Sequence, residues 1–372
     1  MKALFWSSLL LIVITHAGYP LWIYLRALCR PRPIPKATVF PNTTVLLAVH
    51  NEAAYLSDKL RNLAALDYPR GLVEIIVVSD GSTDGTNGVL AEAEGQGIQS
   101  IYLREHRGKA GALNCGIAQA RGEVVVFTDA RQMLAASAVN NLVENFADSS
   151  IGCVSGELMI GTDAATSSAE GVGLYWRMEK KIRLWEGLAG STVGATGSFY
   201  AVRRELLVPL PEGTILDDLY IPLHVARGGK RVVFEPGALA YDPLIADPKQ
   251  EFRRKLRTLF GNYQLLQLAP WILTSSNPLR FEFICHKLLR LFVPFALLGL
   301  LISSAWLGST TYGVFLVLQL LFYGLAGLSF VPLPLGILAR LSSISLAFAV
   351  LNSAAALAFV YFISGRKPAW TR

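Results

Sequence analysis

Charge is scarce in this chain. Of its 372 residues only 16% are Asp, Glu, Lys or Arg, whereas soluble domains carry about 25%. With 52% hydrophobic residues and a mean hydropathy of +0.42, the composition points to a protein partly in a membrane. Cysteine is scarce too. Cys29, Cys115, Cys153 and Cys285 form no CxxC pair, so reduced, unpaired thiols with no redox or metal role are expected. The five histidines are dispersed; His50 and His106 read as loop residues near a site, not as metal ligands. No GxxxxGK[ST] and no GxGxxG occurs, which leaves a P-loop kinase or a dinucleotide oxidoreductase little support. The net charge of +7 could serve nucleic acid or an anionic membrane surface. No zinc spacing, RNA motif or long basic run is present, so no nucleic-acid partner is expected. The basic residues crowd beside apolar segments instead: Arg26, Arg30, Arg32 and Lys36 after the first, and Arg280, His286, Lys287 and Arg290 before the next.

Long apolar runs stand at both ends. "ALFWSSLLLIVITHAGYPLWIYL" at 3–25 is long enough to cross about 30 Å of hydrocarbon. Thr15-His16-Ala17 loosely imitates a signal cleavage site, but the apolar run resumes after it, which favours an anchor. Residues 291–364 are nearly all apolar, with Arg340 the only charge, and breaks near "GSTTYG" and "VPLPLG" divide them. The expected organisation is an anchor at 1–28, a Pro-rich linker at 29–43, a globular domain at 44–249, amphipathic interfacial helices at 250–288, about three spans at 289–364 and a basic tail at 365–372. "YWRMEKKIRLWEGLAG" and "EFRRKLRTLFGNYQLLQLAPWIL" interleave apolar and basic residues, as interfacial helices do; core or surface helices are the plain alternative. The positive-inside rule puts the globular part in the cytoplasm of a plasma-membrane protein. One crossing before the domain and three after it leave the tail outside, against the same rule. A re-entrant or interfacial segment would relieve this.

Between 42 and 160 the rhythm is strand, loop, helix. "TVLLAV", "VEIIVV", "IQSIYL" and "EVVVFT" alternate with amphipathic helices, which predicts βαβ units and a mostly parallel sheet. In such sheets ligands sit beyond the C-terminal strand ends. The loops there hold Glu52, Asp80, Asp84 and Asp129. "SDGSTDGT" by itself is ordinary loop chemistry: Asp80 and Gly81 can turn, Ser82 and Asp84 can cap. A second buried strand ending in a carboxylate, Asp129, shifts the reading towards a nucleotide contact at one strand end and a diphosphate-bound metal at the other. "LDDLYIPLHVA" reads either as a helix start with two acids at its N-terminus or as a site for a base.

Six stretches occur in order: "VHNEAAYL", "VVSDGSTDGT", "GKAGALNCGI", "VVVFTDAR", "GATGSFYAVRR" and "ILDDLYIP". Together, over about 44–260, they resemble the family 2 glycosyltransferases of GT-A fold, in the membrane-embedded branch with the cellulose, chitin and hyaluronan synthases. The resemblance implies a GT-A domain, a nucleotide-sugar donor (usually a UDP-sugar), Mg²⁺ or Mn²⁺, and inversion at the anomeric carbon. It implies donor contacts at Glu52, Asp80, Lys109, Asp129 and Arg131, with Asp129 as the metal ligand. It makes Asp218 the general base with Asp217 beside it, and puts Gln250 and Arg253 at the acceptor and diphosphate side. Three positions depart from the family pattern. Ser79 stands for the first acid of a "DD" pair, Arg131 for the second acid of DxD, and Arg254 for the tryptophan of QxxRW. These bear on metal dependence and on processivity. The expected activity is transfer to a lipid-linked or glycan acceptor at the membrane, among membrane lipids. The rivals are a processive synthase that exports its chain, which with three C-terminal spans would need an oligomer, and a catalytically degraded membrane scaffold.

Overall fold

A computed structural model describes residues 1–94, 97–160, 168–242, 248–331 and 336–367. Eight strands appear among them: β1 (Thr43–Val49), β2 (Val73–Asp80), β3 (Ile98–Leu103), β4 (Val124–Thr128), β5 (Met133–Leu134), β6 (Ile151–Ile160), β7 (Phe199–Arg203) and β8 (Arg231–Asp242). They form one sheet in the order β3-β2-β1-β4-β7-β6-β8-β5. β1, β2 and β4 are near-continuous apolar runs because helices cover both faces of the sheet. One face packs Val45, Leu47, Val77 and Val126 with Leu56 and Leu60. The other packs Leu46, Ile76 and Val125 with Leu113 and Leu223.

The parallel arrangement expected from the sequence covers β3, β2, β1 and β4, and again the β6–β8 pair. β7 breaks it by running antiparallel to both β4 and β6, and β5 runs antiparallel to β8. This inversion has a consequence for the site. Thr128, the last residue of β4, pairs with Phe199, the first of β7. The loop that enters β7 therefore arrives at the same sheet edge as the loops that leave β1, β2 and β4.

Four helices are long and apolar enough to cross a membrane: Lys2–Cys29, Arg280–Leu307, Thr310–Leu328 and Gly336–Ile363. They are called spans 1 to 4 below. Span 2 begins at Arg280, so the boundary placed at 288 falls inside one continuous helix. Both span 1 and span 2 contain a π-helical turn, at Ile14–Gly18 and Ile284–Leu288. At 1.5 Å per residue a helix of 28 residues is about 42 Å long, more than the hydrocarbon needs. The extra length of span 1, Tyr19–Cys29, packs on the helix Ser168–Ala189: Tyr19, Ile23 and Ala27 cluster with Ile182 and Ala189. That helix, which the sequence alone places at an interface, is thus wedged between the domain and the spans. The helix Pro248–Leu268 docks likewise, with Leu256, Phe260 and Tyr263 against Leu291 and Ala358. Most of the basic tail, residues 368–372, lies outside the described residues.

The sheet leaves little room where β4 begins. A Cβ on Gly122 would lie 2.5 Å from the Thr44 backbone nitrogen, and the Gly122 N–H donates to Thr44 Oγ1 at 2.9 Å. Gly122→Ala is expected to destabilise the protein by about 1–3 kcal/mol through overpacking. A thermal scan of detergent-purified protein checks this; an unchanged midpoint would mean the strand ends part freely.

Candidate active site

The loops at the C-terminal edge of the parallel strands are knitted together by their own side chains. Asn51, after β1, has φ 55°, a conformation Asn tolerates better than most residues. Its Oδ1 accepts the Thr83 N–H at 2.8 Å and the Asp84 N–H at 3.3 Å. Asp84 in turn accepts the Thr86 N–H (2.9 Å) with one oxygen and the Ala53 N–H (3.2 Å) with the other. One carboxylate thereby serves the first turns of two helices. Ser79 donates to Asn87 Oδ1 at 2.7 Å, a neutral contact where the family pattern has an acid.

Asp80 is 2% exposed and faces the next loop. Its Oδ1 accepts the Arg107 N–H at 2.7 Å, and its Oδ2 lies 2.8 Å from His106 Nδ1. The His50 and His106 rings lie tilted against each other, with centroids 4.1 Å apart. Gly81 (φ +62°) is needed here, because a Cβ would meet His106 N at 2.6 Å. Asp80 therefore orders the loop that presents Lys109.

Lys109 is the centre of the site. Its Nζ lies 3.1 Å from Asp129 Oδ1 and 3.3 Å from Asp217 Oδ1. Partial burial would depress the ammonium, but Asp129, Asp217 and Asp218 together outweigh it and hold Lys109 above its ordinary value. Asp217 is 3% exposed and accepts the Tyr200 hydroxyl at 2.9 Å. Tyr200 sits on β7, so the inverted strand delivers this bond. Asp218 is only partly buried. Burial first, then the charge of Asp217, push its carboxyl up to about 6. It lies against the turn into β7, where a Cβ on Gly197 would come within 2.7 Å of its Oδ2. Ser198 beside it keeps a buried hydroxyl with no hydrogen-bond partner among the described residues.

Two further expected residues meet each other. Arg131 Nε approaches Glu52 Oε2 at 3.4 Å, and the guanidinium lies over Tyr55 at 5.1 Å. Gln250 and Arg253 stand in the first turns of the helix Pro248–Leu268, with Arg253 exposed. A link from that helix to the site runs through their neighbour Arg254, which pairs with Asp242 at 3.4 Å. Asp242 Oδ1 accepts from Gln132 Nε2 at 3.0 Å, next to Arg131. Burial raises the Asp242 carboxyl while Arg254 opposes it.

Lys59 was not anticipated. It is fully buried and donates to Thr128 Oγ1 at 2.9 Å and to the Gln132 carbonyl, clamping both ends of the loop that carries Asp129 and Arg131. Burial pulls its ammonium down to about 7 against the field of Asp129. The signal was there: Leu56, Lys59, Leu60 and Leu63 share one buried helix stripe, and a lysine on such a stripe needs a partner.

No group of three or more His, Cys, Asp and Glu able to hold a metal occurs among the described residues. Asp129, paired with Lys109, keeps its side chain 39% exposed and could lend one oxygen to an ion. That donor set fits an ion held by one carboxylate plus phosphate oxygens and water, as Mg²⁺ commonly is.

Residues 44–208 match the family model "Glycosyl transferase family 2". They form a family 2 glycosyltransferase domain. Among solved structures, the mannosyltransferase PcManGT from Pyrobaculum calidifontis, in complex with GDP-Man and Mn²⁺, is similar over 98% of this chain and 100% of its own, with TM-score 0.72 and 27% identity. This chain is also similar to the poly-β-1,6-N-acetyl-D-glucosamine synthase of Staphylococcus aureus strain COL, at 28% identity over 60% of this chain. The probable glycosyltransferase YdaM of Bacillus subtilis strain 168 matches at 27% over the same share. The chain spans 55% of the length of these two curated relatives.

Lys109 is the test of this geometry. Lys109→Met leaves buried Asp217 without its cation and is expected to cost on the order of 3 kcal/mol. Adding Asp217→Asn should restore part of the loss. Thermal unfolding of the four proteins of this cycle measures the coupling; additive losses would mean the two groups do not interact.

Proposed function

We propose that this membrane protein transfers a sugar, with inversion, from a nucleoside-diphosphate sugar in the cytosol to an acceptor presented at the membrane. The observation that carries the reading is Asp218: a partly exposed carboxyl, pushed up to about 6, next in the chain to Asp217, whose ion pair with Lys109 links it to the donor-side acid Asp129. A base so tuned accepts a proton more readily than an ordinary aspartate and is still ionised at neutral pH.

In the proposed step the Asp218 carboxylate takes the proton of an acceptor hydroxyl. The acceptor oxygen attacks the anomeric carbon, the bond to the diphosphate breaks, and the nucleoside diphosphate leaves with both bonding electrons. Lys109 opposes the charge that grows on the leaving group. A divalent cation, if bound by the diphosphate and Asp129, supplies further charge neutralisation there. Asp217, fixed by Tyr200, holds Lys109 in place and raises the Asp218 pKa. Glu52, Arg131 and Asp80 line the donor side, and Gln250 and Arg253 are kept as candidates for the acceptor side.

The donor was expected to be a UDP-sugar. The similarity to a mannosyltransferase solved with GDP-Man and Mn²⁺ extends over the spans as well as the domain, so GDP-mannose is the first donor to try. The named product of the staphylococcal synthase makes an N-acetylglucosamine nucleotide the second, and supports a polymer synthase as the other reading. Product size separates the two.

Three outcomes are expected. Asp218→Asn should slow single-turnover transfer by about 10²–10⁴-fold with donor affinity by calorimetry nearly unchanged. Wild-type kcat should fall about tenfold per pH unit below about 6, because the base is active only when deprotonated, and should level off above it; this limb belongs to the Asp217–Asp218 pair. A fully active Asp218→Asn places the base elsewhere. Asp129→Ala should abolish both turnover and its sensitivity to EDTA, and full wild-type activity in EDTA would withdraw the metal.

A further inference from the structure

The reading above leaves open what holds the donor loop in shape. We infer that Lys59, on a stripe of one helix that runs beneath residues 128–134, is a positioning residue for the transfer: without touching the donor, it holds Asp129 and Arg131 where the diphosphate arrives. The inference rests on the glycosyltransferase reading and deepens it at the same site.

The loop has little order of its own. Residues 129–132 join β4 to β5, a strand of two residues, and no backbone hydrogen bond closes the loop on itself among the described residues. Side chains of the helix Ala53–Ala64 and its N-cap Glu52 hold it instead. Glu52 Oε2 meets Arg131 Nε at 3.4 Å, and the Tyr55 ring lies 5.1 Å from the Arg131 guanidinium. Lys59 Nζ donates to Thr128 Oγ1 at 2.9 Å and to the Gln132 carbonyl. Asn62 Nδ2 donates to the Leu134 carbonyl at 2.9 Å, and its Oδ1 accepts the Leu134 N–H at 2.8 Å. Glu52, Tyr55, Lys59 and Asn62 step by 3, 4 and 3 residues, the spacing of one helix face. One rigid face thus grips the loop from the end of β4 to β5. β8 adds a further hold through Asp242, whose Oδ1 accepts from Gln132 Nε2 at 3.0 Å.

Lys59 is the member of this stripe that packing does not explain. It is fully buried, among Leu56, Leu60 and Leu63. Both of its hydrogen-bond partners are neutral, so an ammonium there is costly to bury. A fourth leucine would serve the core without that cost. The charge that opposes its desolvation is that of Asp129, and Asp129 is itself paired with Lys109 at 3.1 Å. The acid on the donor side therefore stands in the field of two ammonium groups: one that it touches, and one that shapes its loop. Ionisable groups perturbed in this way by burial and a specific charge cluster at functional sites. An arriving diphosphate meets a loop already in place, so binding does not have to order it.

Hydrogen exchange in the full chain, in detergent, reads the loop directly. Lys59→Met fills the same space and removes both bonds. Amides of residues 129–134 should exchange faster in it, while those of residues 124–127 keep the wild-type rate. Calorimetry with GDP and with UDP, each with Mn²⁺, reads the consequence. If the unclamped loop is in place about a tenth of the time, the nucleotide that binds wild type should bind Lys59→Met about tenfold more weakly. Saturating nucleotide should return the loop amides to the wild-type rate. Two substitutions at Thr128 separate the bond from the fold, and they carry the test by themselves should Lys59→Met fail to fold. Thr128→Val keeps the shape and loses the acceptor, so it should loosen the loop and weaken binding in the same direction. Thr128→Ser keeps the hydroxyl and should match wild type. Unaltered exchange at 129–134 in Lys59→Met and Thr128→Val overturns the inference. So does a loosened loop with unchanged nucleotide affinity, which would leave Lys59 a structural role alone. Failure of both nucleotides to bind wild type would count against the transferase reading, while the exchange rates would still decide whether Lys59 holds the loop.

Discussion

One ammonium group joins the two halves of this enzyme-like site. Lys109 comes from the helix that follows β3, Asp129 from the end of β4 and Asp217 from the helix before β8. A buried carboxylate with no cation would be driven to its neutral form or out of the fold. The ion pairs therefore hold together loops that are nearly 110 residues apart in sequence, from 109 to 217. Burial, and then the charge of Asp217 beside it, raise the proton affinity of Asp218. The same contact that closes the domain thus sets the chemistry of its proposed base.

The second constraint is the junction with the membrane. A helix made only to lie on a lipid surface would need no internal ion pairs. Ser168–Ala189 instead buries Glu179 and Glu186 against His286, Lys287 and Arg290 of span 2, and Glu186 also accepts the Tyr19 hydroxyl of span 1. Buried ion pairs contribute little net stability, but they are strongly destabilising to break, so they fix register. Arg26 with Glu282 repeats the device at 2.6 Å, nearer the domain. Orientation of the domain relative to the spans is set by charge, in a zone where apolar packing alone would let the helices slide.

Some of this was legible beforehand because it depends on local pattern. The alternation of apolar runs and amphipathic helices placed β1 to β4 and their helices, and strand-end position alone put Glu52, Asp80 and Asp129 at one edge. Long apolar stretches gave the spans. Lys59 is readable too, as a lysine on a stripe of leucines. The antiparallel turn at β7 was not readable: "GSFYAVRR" has the same apolar pattern whichever way it runs. Nor could the sequence tell that Asp80 would order the 105–108 loop, or that Arg254, where the resemblance led one to want a tryptophan, would reach Asp242.

Sequence by itself determined the element types, the long apolar segments and the acids at the strand ends, because hydrophobic period and chain length act within a few turns of the chain. Tertiary structure decided which of two adjacent aspartates is buried and paired and which stays open with a raised pKa. It also decided that His16 and Arg290, unremarkable in their own segments, face one cavity. Those facts rest on desolvation and on charge separations of a few ångströms, between residues that only the folded chain brings together.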